Sequence, residues 1–241
     1  FADYKANRSE TPEAIKIAVP YIHRILEAMH IPILGVEGYE ADDVIGTIAC
    51  KAEKEGYNTF MVTPDKDFAQ LVTDKIKIYK PGLKGGDIEI LGVEEVKAKY
   101  EIEDPKQVID FLAMMGDAVD NIPGIAWFWP KKAVDLINTY GTVEQIFKHI
   151  DDEDFILKSK TLEKLKEGRE MAFLSKRLAT IDINTDLWNF NLNDYIFDKD
   201  KLLNNELKDF FRKYEFNSLI WETVKKDLKT FQDLNLKTIF I

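Results

Sequence analysis

The chain contains at residues 57–68 the stretch Tyr57-Asn-Thr-Phe-Met-Val-Thr-Pro-Asp-Lys-Asp-Phe68. Its first six residues are rich in β-branched and aromatic side chains, which are typical of a strand. The Pro-Asp pair ends this strand, and a helical pattern at residues 65–73 leads to another β-rich run at Lys75–Tyr79. A short apolar run at residues 31–36 and a helical pattern at 41–55 come before it. Strands that alternate with helices at this spacing indicate βαβ units and a mostly parallel sheet.

The rest of the chain is predominantly helical. A β-hairpin is predicted first, because Pro81-Gly82 and Gly85-Gly86 are turn pairs and Ile88–Leu91 is β-rich. Helical patterns follow at residues 93–100, 105–115, 130–139, 143–149 and 158–175, and two more lie at 11–30 and 201–215. Residues 184–200 are rich in Asn and Asp and are predicted to form a linker. We therefore expect an α/β part followed by an all-α part, divided near residue 105.

The composition is that of an ordinary globular chain with a local excess of acid. Of its 241 residues, 45% are hydrophobic and 32% are charged, and the formal net charge is −10. The single cysteine excludes an intrachain disulfide framework and a cysteine-based zinc cluster. No apolar run reaches the ~18 residues of a membrane span and no signal peptide opens the chain, so a cytoplasmic protein without a membrane partner is expected. Residues 1–120 carry 14 basic and 23 acidic side chains, against 19 and 20 in residues 121–241, so the acidity has a local cause.

Three short acidic motifs lie within that acidic half. Two of them, Glu40-Ala-Asp-Asp43 and Asp65-Lys-Asp67, follow predicted parallel strands, whose carboxyl ends are where open α/β sheets bind ligands. The third, Asp117-Ala-Val-Asp120, follows a predicted helix. Clustered carboxylates repel one another unless cations neutralise them, and all-oxygen ligand sets suit Mg²⁺ or Mn²⁺. The motifs therefore predict a two-ion site for phosphodiester hydrolysis, although each motif alone is also a common helix cap. The candidate metal ligands are Glu40, Asp42, Asp43, Asp65, Asp67, Asp117 and Asp120.

Four motifs, taken together, resemble the bacterial 5′ nuclease family. They are Tyr4-Lys-Ala-Asn-Arg8, Tyr39-Glu-Ala-Asp-Asp-Val-Ile-Gly46, Thr63-Pro-Asp-Lys-Asp-Phe68 and Met115-Gly-Asp-Ala-Val-Asp-Asn-Ile-Pro-Gly124. The resemblance is in particular to the 5′→3′ exonuclease domain of bacterial DNA polymerases, and it covers about residues 1–185 in the family's order. It implies an α/β fold with a PIN-like or resolvase-like, mostly parallel sheet, incomplete at its N-terminus, followed by an all-α helix–hairpin–helix subdomain. The implied domains are a metal-site domain at 1–105, a DNA-binding subdomain at 106–185, and a linker with an amphipathic helix leading to the next polymerase domain at 186–241.

The resemblance also implies an activity and a set of roles. The chain is expected to be a 5′→3′ exonuclease or flap endonuclease that hydrolyses DNA with two Mg²⁺ or Mn²⁺ ions. Its expected partners are DNA with 5′ flaps, nicks or RNA primers and the polymerase domains of the same longer chain, in the bacterial cytoplasm at the nucleoid. Lys5 and Arg8 match the family's basic pair near the scissile phosphate, whereas Lys66 is expected to be solvated. The hairpin that grips duplex backbone, where the family also allows a monovalent cation, is matched by Gly124, Ile125, Lys131 and Lys132.

Two departures from the family pattern alter these expectations. The chain is expected to lack the family's N-terminal stretch, which carries the first strand and further metal-site aspartates, and so to leave a sheet edge unpaired. In the hairpin, Trp127 and Trp129 stand where the family usually has glycine. We interpret them as damage to the motif or a hydrophobic plug in preference to a stacking platform for a base, and weakened duplex binding is predicted. Two alternatives to the active nuclease stay open: a DNA-binding remnant that does not cut, and a metal-dependent PIN-like ribonuclease.

Overall fold

The computed structural model of the chain describes residues 1–82, 86–188, 190–195, 204–216 and 238–241, so the predicted linker falls partly outside the described residues. Contacts divide the chain into two compact units. The first unit comprises Phe1–Arg8, Ile45–Asn184 and Ile239–Ile241, and the second comprises Ser9–Val44 and Thr185–Thr238. The division into domains that the sequence predicts stays a prediction. Among the described helices, none combines the length and apolar character needed to cross a membrane.

A four-stranded mixed sheet organises the α/β part. Its strands are β1 (Asn58–Val62), β2 (Ile76–Lys80), β3 (Glu89–Leu91) and β4 (Thr238–Phe240), in the order β3-β2-β1-β4. β1 and β2 are parallel, with Thr59 opposite Ile76, whereas β2 and β3 are antiparallel, with Ile78 opposite Leu91. The β-rich runs thus form β1, β2 and β3 as predicted, while Gly85 of the predicted hairpin turn lies outside the described residues.

Residues 31–36, which the sequence predicts to be a strand, do not form one. The edge beside β1 is occupied by β4 instead: the N–H of Val62 donates to the carbonyl of Ile241 (2.8 Å), and the N–H of Ile241 donates to the carbonyl of Phe60 (3.0 Å). An apolar run becomes a strand only where a neighbouring strand satisfies its backbone groups, and no described strand pairs with residues 31–36. The expectation of an unpaired edge is therefore wrong for β1.

The predicted helices are present with shifted ends. They are α2 (Ala41–Lys54), α3 (Val93–Tyr100), α4 (Val108–Met115), α5 (Pro130–Tyr140), α6 (Val143–Lys148), α7 (Ser159–Glu167) and α8 (Arg169–Ala179). The pattern at residues 158–175 forms two helices, because Gly168 interrupts it and packs against Ile125. A Cβ on Gly168 would lie 2.6 Å from Cγ2 of Ile125, so this close approach requires glycine. Two 3-10 helices, at Asp67–Leu71 and Pro105–Gln107, form where the sequence predicts longer α-helices.

The helical part of the first unit packs around α4, which contacts α5 and α8. One polar side chain of α4, Asp110, is buried within this packing. It accepts hydrogen bonds from the N–H of Val143 and from Nζ of Lys176, both at 2.7 Å, and Lys176 also contacts Glu144 at 2.6 Å. Burial raises the pKa of Asp110, although the hydrogen bonds from Lys176 and Val143 oppose that rise. The network therefore ties α4, α6 and α8 together through one buried charge.

The second unit contains α1 (Glu13–Ala28) and α9 (Asn205–Lys213). The apolar stripe of α9 is buried together with Ala28 of α1, and consists of Leu207, Phe210 and Phe211. The final amphipathic helix that the sequence predicts is thus present and packs on this chain. Leu202 and Leu203, which belong to the same predicted stripe, lie outside the described residues.

Candidate metal centre

The turn after β1 carries two of the predicted ligands. The hydroxyl of Thr63 accepts a hydrogen bond from the N–H of Asp65 (3.1 Å), and Oδ1 of Asp65 accepts one from the N–H of Asp67 (3.0 Å). In each case a short polar side chain binds the backbone two residues ahead, which is how such residues form tight turns. The local sequence therefore holds both aspartates at the carboxyl end of β1.

The loop after α4 carries two more predicted ligands, Asp117 and Asp120. Asp117 and Ile122 exchange two backbone hydrogen bonds, of 2.9 and 2.8 Å. The loop closes on two glycines with positive φ, and a Cβ on Gly124 would lie 2.4 Å from the nitrogen of Gly116, so the approach requires glycine. Asp117 and Asp120 are buried, with 5% and 9% exposure. The loop thus holds two carboxylates away from bulk water.

Three basic side chains contact these buried carboxylates. Nζ of Lys66 lies 2.9 Å from Oδ2 of Asp117, so Lys66 is ion-paired and not simply solvated as expected. Arg8 forms an ion pair with Asp120, and Nζ of Lys5 lies 3.7 Å from Oδ2 of Asp120. The N–H of Lys5 also donates to the backbone carbonyl of Asp120 (2.9 Å), which fixes the N-terminal turn to this loop. The structure thus brings the predicted basic pair to one of the predicted ligands.

Asp67 has a strongly perturbed carboxyl group. Burial, followed by the nearby charges of Asp65 and Asp117, raises the pKa of Asp67 from its ordinary 3.8 to about 6. Its Oδ1 is buried, and among the described residues no donor forms a hydrogen bond to it. Burial and the charges of Asp67 and Asp117 likewise raise the pKa of Tyr100 to about 12. Tyr100 therefore borders the cluster, although nothing in the sequence marks it, since it lies outside the acidic motifs.

Three of the predicted ligands, Asp65, Asp117 and Asp120, act together on the carboxyl group of a fourth, Asp67. Lysine and arginine side chains lie among them, and the described residues contain no group of three or more His, Cys, Asp or Glu side chains placed to hold a metal ion. The chemistry of the donors nevertheless fits a hard divalent cation, because the buried Oδ1 of Asp67 receives no hydrogen bond from the described residues and carboxylate oxygens are the ligands such ions prefer. The role of these four residues as ligands stays a prediction.

The other three predicted ligands, Glu40, Asp42 and Asp43, lie in the second unit at the start of α2. Asp42 and Asp43 fall in the first turn of the helix, and Oδ2 of Asp43 accepts a hydrogen bond from the N–H of Glu40 (3.2 Å). This is the geometry of a helix N-terminus, which favours acidic side chains on its own. Their membership of a metal centre therefore stays a prediction.

The predicted DNA-binding hairpin follows the Asp117–Asp120 loop. Gly124 and Ile125 are both buried, and their N–H groups donate within the protein, to Oγ of Ser175 (2.9 Å) and to the carbonyl of Met114 (2.8 Å). Trp127 and Trp129 are 84% and 72% exposed. The interpretation of the two indoles as a hydrophobic plug is therefore wrong.

The first turn of α5 supplies the two lysines predicted to bind DNA. Nζ of Lys131 lies 3.9 Å from the carboxylate of Glu101 and 3.8 Å from that of Asp135. The side chains of Lys131 and Glu101 are largely exposed, and that of Asp135 is partly buried. Lys132 is also exposed and forms no ion pair among the described residues. The DNA-binding role of these lysines and of Gly124 and Ile125 stays a prediction.

The fold is that of structurally known nucleases. The T5 D15 protein matches with a TM-score of 0.59 and 23% identity, over 88% of this chain and 79% of that one. The catalytic core of Rad2 matches with a TM-score of 0.57 and 16% identity, over 91% of this chain and 71% of that one. At this level of identity the likeness establishes the fold alone.

The sequence comparisons establish the family. Residues 1–101 match the N-terminal resolvase-like domain of 5′-3′ exonucleases, and residues 103–202 match their C-terminal SAM fold. The chain is 34% identical to the 5′-3′ exonuclease of Aquifex aeolicus, over 93% of this chain and 73% of that protein. It belongs to the 5′-3′ exonuclease family, as the sequence motifs predict, and the predicted fold class is confirmed, with a mixed sheet and a SAM-fold helical part.

The chain also resembles a segment of a larger enzyme. It is 36% identical to DNA polymerase I of Caldicellulosiruptor bescii and 34% identical to that of Bacillus subtilis, over 99% of this chain in both cases. The match spans 27% of the length of each of these two relatives.

Proposed function

We propose that the chain is the 5′→3′ exonuclease and flap endonuclease portion of a DNA polymerase I, and that it hydrolyses DNA phosphodiesters with two divalent ions, Mg²⁺ or Mn²⁺. The observation that carries the proposal is Asp67, whose buried Oδ1 receives no hydrogen bond from the part of the chain that the structure describes, and whose pKa is raised to about 6 by burial and neighbouring carboxylates. A site of this kind is unfavourable in a protein that binds no cation and favourable in one that does. The family membership and the divalent metal ions in the T5 structures support the same conclusion.

The proposed chemistry assigns distinct roles to the acidic and basic side chains. Asp65, Asp67, Asp117 and Asp120 would hold divalent ions. Glu40, Asp42 and Asp43 are the further carboxylates that we propose as metal ligands. A bound ion would supply Lewis acidity and a water of lowered pKa. A bound cation would lower the raised pKa of Asp67 again, because it replaces the unfavourable field of the neighbouring carboxylates by a favourable one, so below about pH 6 its binding would release a proton.

Lys5 and Arg8 would act on the substrate side of the site. Both contact Asp120 in this structure, so they are placed to balance negative charge on either a carboxylate or a phosphoryl group. In the reaction they would offset the charge that develops on the phosphoryl oxygens as the P–O bond breaks. Lys66, which pairs with Asp117, would neutralise that carboxylate while no cation is bound.

The proposed partners are DNA with 5′ flaps, nicks or RNA primers, and the polymerase domains of a longer chain in the bacterial cytoplasm. Names of relatives support this assignment: the T5 D15 flap endonuclease is known in complex with DNA and metal ions, and the relative from Caldicellulosiruptor bescii is a DNA polymerase I. Gly124, Ile125, Lys131 and Lys132 would contact duplex backbone, with a monovalent cation at the hairpin.

A second candidate function is DNA binding without cleavage. It is favoured by one observation, namely that the described carboxylates do not converge on a ready-made metal site, and that Asp117 and Asp120 are paired with Lys66 and Arg8 instead. A PIN-like ribonuclease is the remaining alternative, and it differs from the other two candidates in cleaving single-stranded RNA.

A cleavage assay separates these candidates. A 5′-flap duplex labelled on the flap is incubated with the protein in Mg²⁺, in Mn²⁺ and in chelator. Metal-dependent flap release supports the proposal, binding without release supports the second candidate, and cleavage of single-stranded RNA alone supports the ribonuclease. Asp42→Asn and Asp117→Asn are expected to abolish cleavage, whereas Asp151→Asn, at an exposed acid paired with Lys166, should retain it. Cleavage that persists in both site variants would falsify the metal-site assignment.

A further inference from the structure

The loop between Ile125 and α5 presents two indoles to solvent on a firmly held backbone. Phe128, which lies between the two tryptophans, is buried with 7% exposure, and its N–H donates to the carbonyl of Ile125 (3.2 Å). Ile125 is buried as well and packs against Gly168. Trp127 and Trp129, in contrast, are exposed, by 84% and 72%. The loop that exposes the two indoles is therefore held in place by the buried side chains of Ile125 and Phe128.

The backbone of Trp127 is in an unfavourable conformation for its residue type. Its φ is +59°, in the left-handed region that a bulky side chain rarely adopts. The anchored neighbours Ile125 and Phe128 hold it there. A strained backbone that displays a large apolar ring in water is unfavourable in the isolated protein, so it indicates a ligand for the ring.

The charges beside the indoles indicate the class of that ligand. Pro130 follows Trp129 directly, and Lys131 and Lys132 then occupy the first turn of α5. Lys131 has acidic neighbours at 3.8 and 3.9 Å, but Lys132 forms no ion pair among the described residues. Exposed aromatic rings next to a free cation are the usual elements of a single-strand nucleic-acid surface, since bases stack on the rings and phosphates approach the cation.

We propose that Trp127 and Trp129 form a stacking site for unpaired bases of single-stranded DNA, with Lys132 facing the adjoining phosphate. The choice of DNA as the ligand rests on the proposed nuclease function. The site would bind without regard to sequence, because every base offers a stacking face. It would favour a frayed end or flap over an intact duplex, whose bases already stack on one another.

Binding of a fluorescently labelled twelve-residue oligothymidine, followed by anisotropy in chelator at fixed salt, tests the proposal. The double variant Trp127→Ala with Trp129→Ala is expected to bind at least about tenfold more weakly than the wild type, and Trp127→Phe with Trp129→Phe is expected to restore most of the affinity. Trp188→Ala is the matched control, because Trp188 is 82% exposed and lies far along the chain. The Trp188→Ala variant should bind oligothymidine with the affinity of the wild type. A strand of the same length made of abasic sites should bind the wild type and the double alanine variant equally.

The outcomes are distinct. Equal oligothymidine binding by the wild type and the double alanine variant, with circular dichroism showing both folded, overturns the proposal. A second result also overturns the proposal. In it, the wild type self-associates as its concentration rises, the double alanine variant does not, and both bind oligothymidine equally. The two rings would then contact protein and not DNA. The nuclease proposal is tested by a different experiment, flap cleavage by the wild type in Mg²⁺. Because the stacking assay contains no metal, its result does not depend on whether the protein cleaves DNA.

Discussion

Replacement of Asp67 by asparagine is expected to stabilise the metal-free protein at pH 8. The Oδ1 of Asp67 is buried and no described residue donates a hydrogen bond to it, and the carboxyl lies close to the charges of Asp65 and Asp117. Asparagine has nearly the same shape, carries no charge, and can place its amide group toward those carboxylates. The substitution therefore removes repulsion from the folded state and leaves the packing unchanged.

The size of the effect follows from the raised pKa of Asp67, about 6 against an ordinary 3.8. Two pKa units correspond to at most about 3 kcal/mol of unfavourable free energy in the folded state when the group is ionised. Asp67 is only partly buried, so solvent screening reduces the expected gain to about 1 kcal/mol. For a chain of this length that gain raises Tm by about 2–4 °C.

The sign of the pH dependence provides a second test. Below about pH 3 Asp67 is protonated in both the folded and unfolded states, so the wild type carries no penalty there. Between the ordinary pKa of 3.8 and the raised pKa of about 6 the unfolded chain has lost its proton while the folded chain retains it, and the stability that this group contributes falls as the pH rises. The difference between Asp67→Asn and the wild type should therefore be near zero at about pH 3 and full above about pH 7.

Thermal melts in chelator, with and without later addition of Mg²⁺, complete the experiment. A saturating cation is expected to stabilise the wild type by about 2.7 kcal/mol at a hundredfold excess over Kd and to stabilise the variant much less. Asp74→Asn, at an exposed acid of the same region, should change stability by less than about 0.5 kcal/mol. If Asp67→Asn melts at or below the wild-type temperature in chelator at pH 8, the electrostatic reasoning is refuted.

Three further predictions concern the buried Asp110 network, the Gly124 turn and the two exposed tryptophans. Asp110→Ala leaves the buried N–H of Val143 without its acceptor and leaves the Lys176 ammonium group with Glu144 alone, so it should lower the free energy of unfolding by about 2–3 kcal/mol in urea. Glu144→Ala, at an exposed partner of the same lysine, should lower it by less than about 1 kcal/mol. Gly124→Ala combines a φ of +62° with a Cβ 2.4 Å from backbone, and a loss of about 2 kcal/mol or more is expected in the same urea titration. Trp127→Gly with Trp129→Gly is expected to raise the affinity for blunt duplex DNA at fixed salt, because glycine lets the backbone approach phosphate; unchanged affinity contradicts the obstructed-hairpin interpretation.

Local sequence patterns predicted most of the secondary structure, but they predicted one strand that does not form and missed one strand that does. β1 and β2 follow from their β-branched and aromatic residues, and α4 follows from its helical spacing, because these patterns act over a few neighbouring residues. Residues 31–36 carry an equally apolar pattern and form no strand, whereas Thr238–Phe240, a three-residue strand, pairs with β1. Pairing depends on which segments meet in space, and short apolar runs do not encode their partners.

In the candidate site, too, some features could be predicted from the sequence and others depend on the folded chain. The acidic motifs, their order and their spacing are enough to identify the nuclease family, because those residue types are required by metal and phosphate chemistry wherever the chain places them. The ion pair of Lys66 with Asp117, the raised pKa of Asp67 and the position of Tyr100 beside the cluster appear only in the folded chain. Burial and Coulomb interactions depend on distances in space and on the surrounding dielectric, and neither is a function of separation along the sequence.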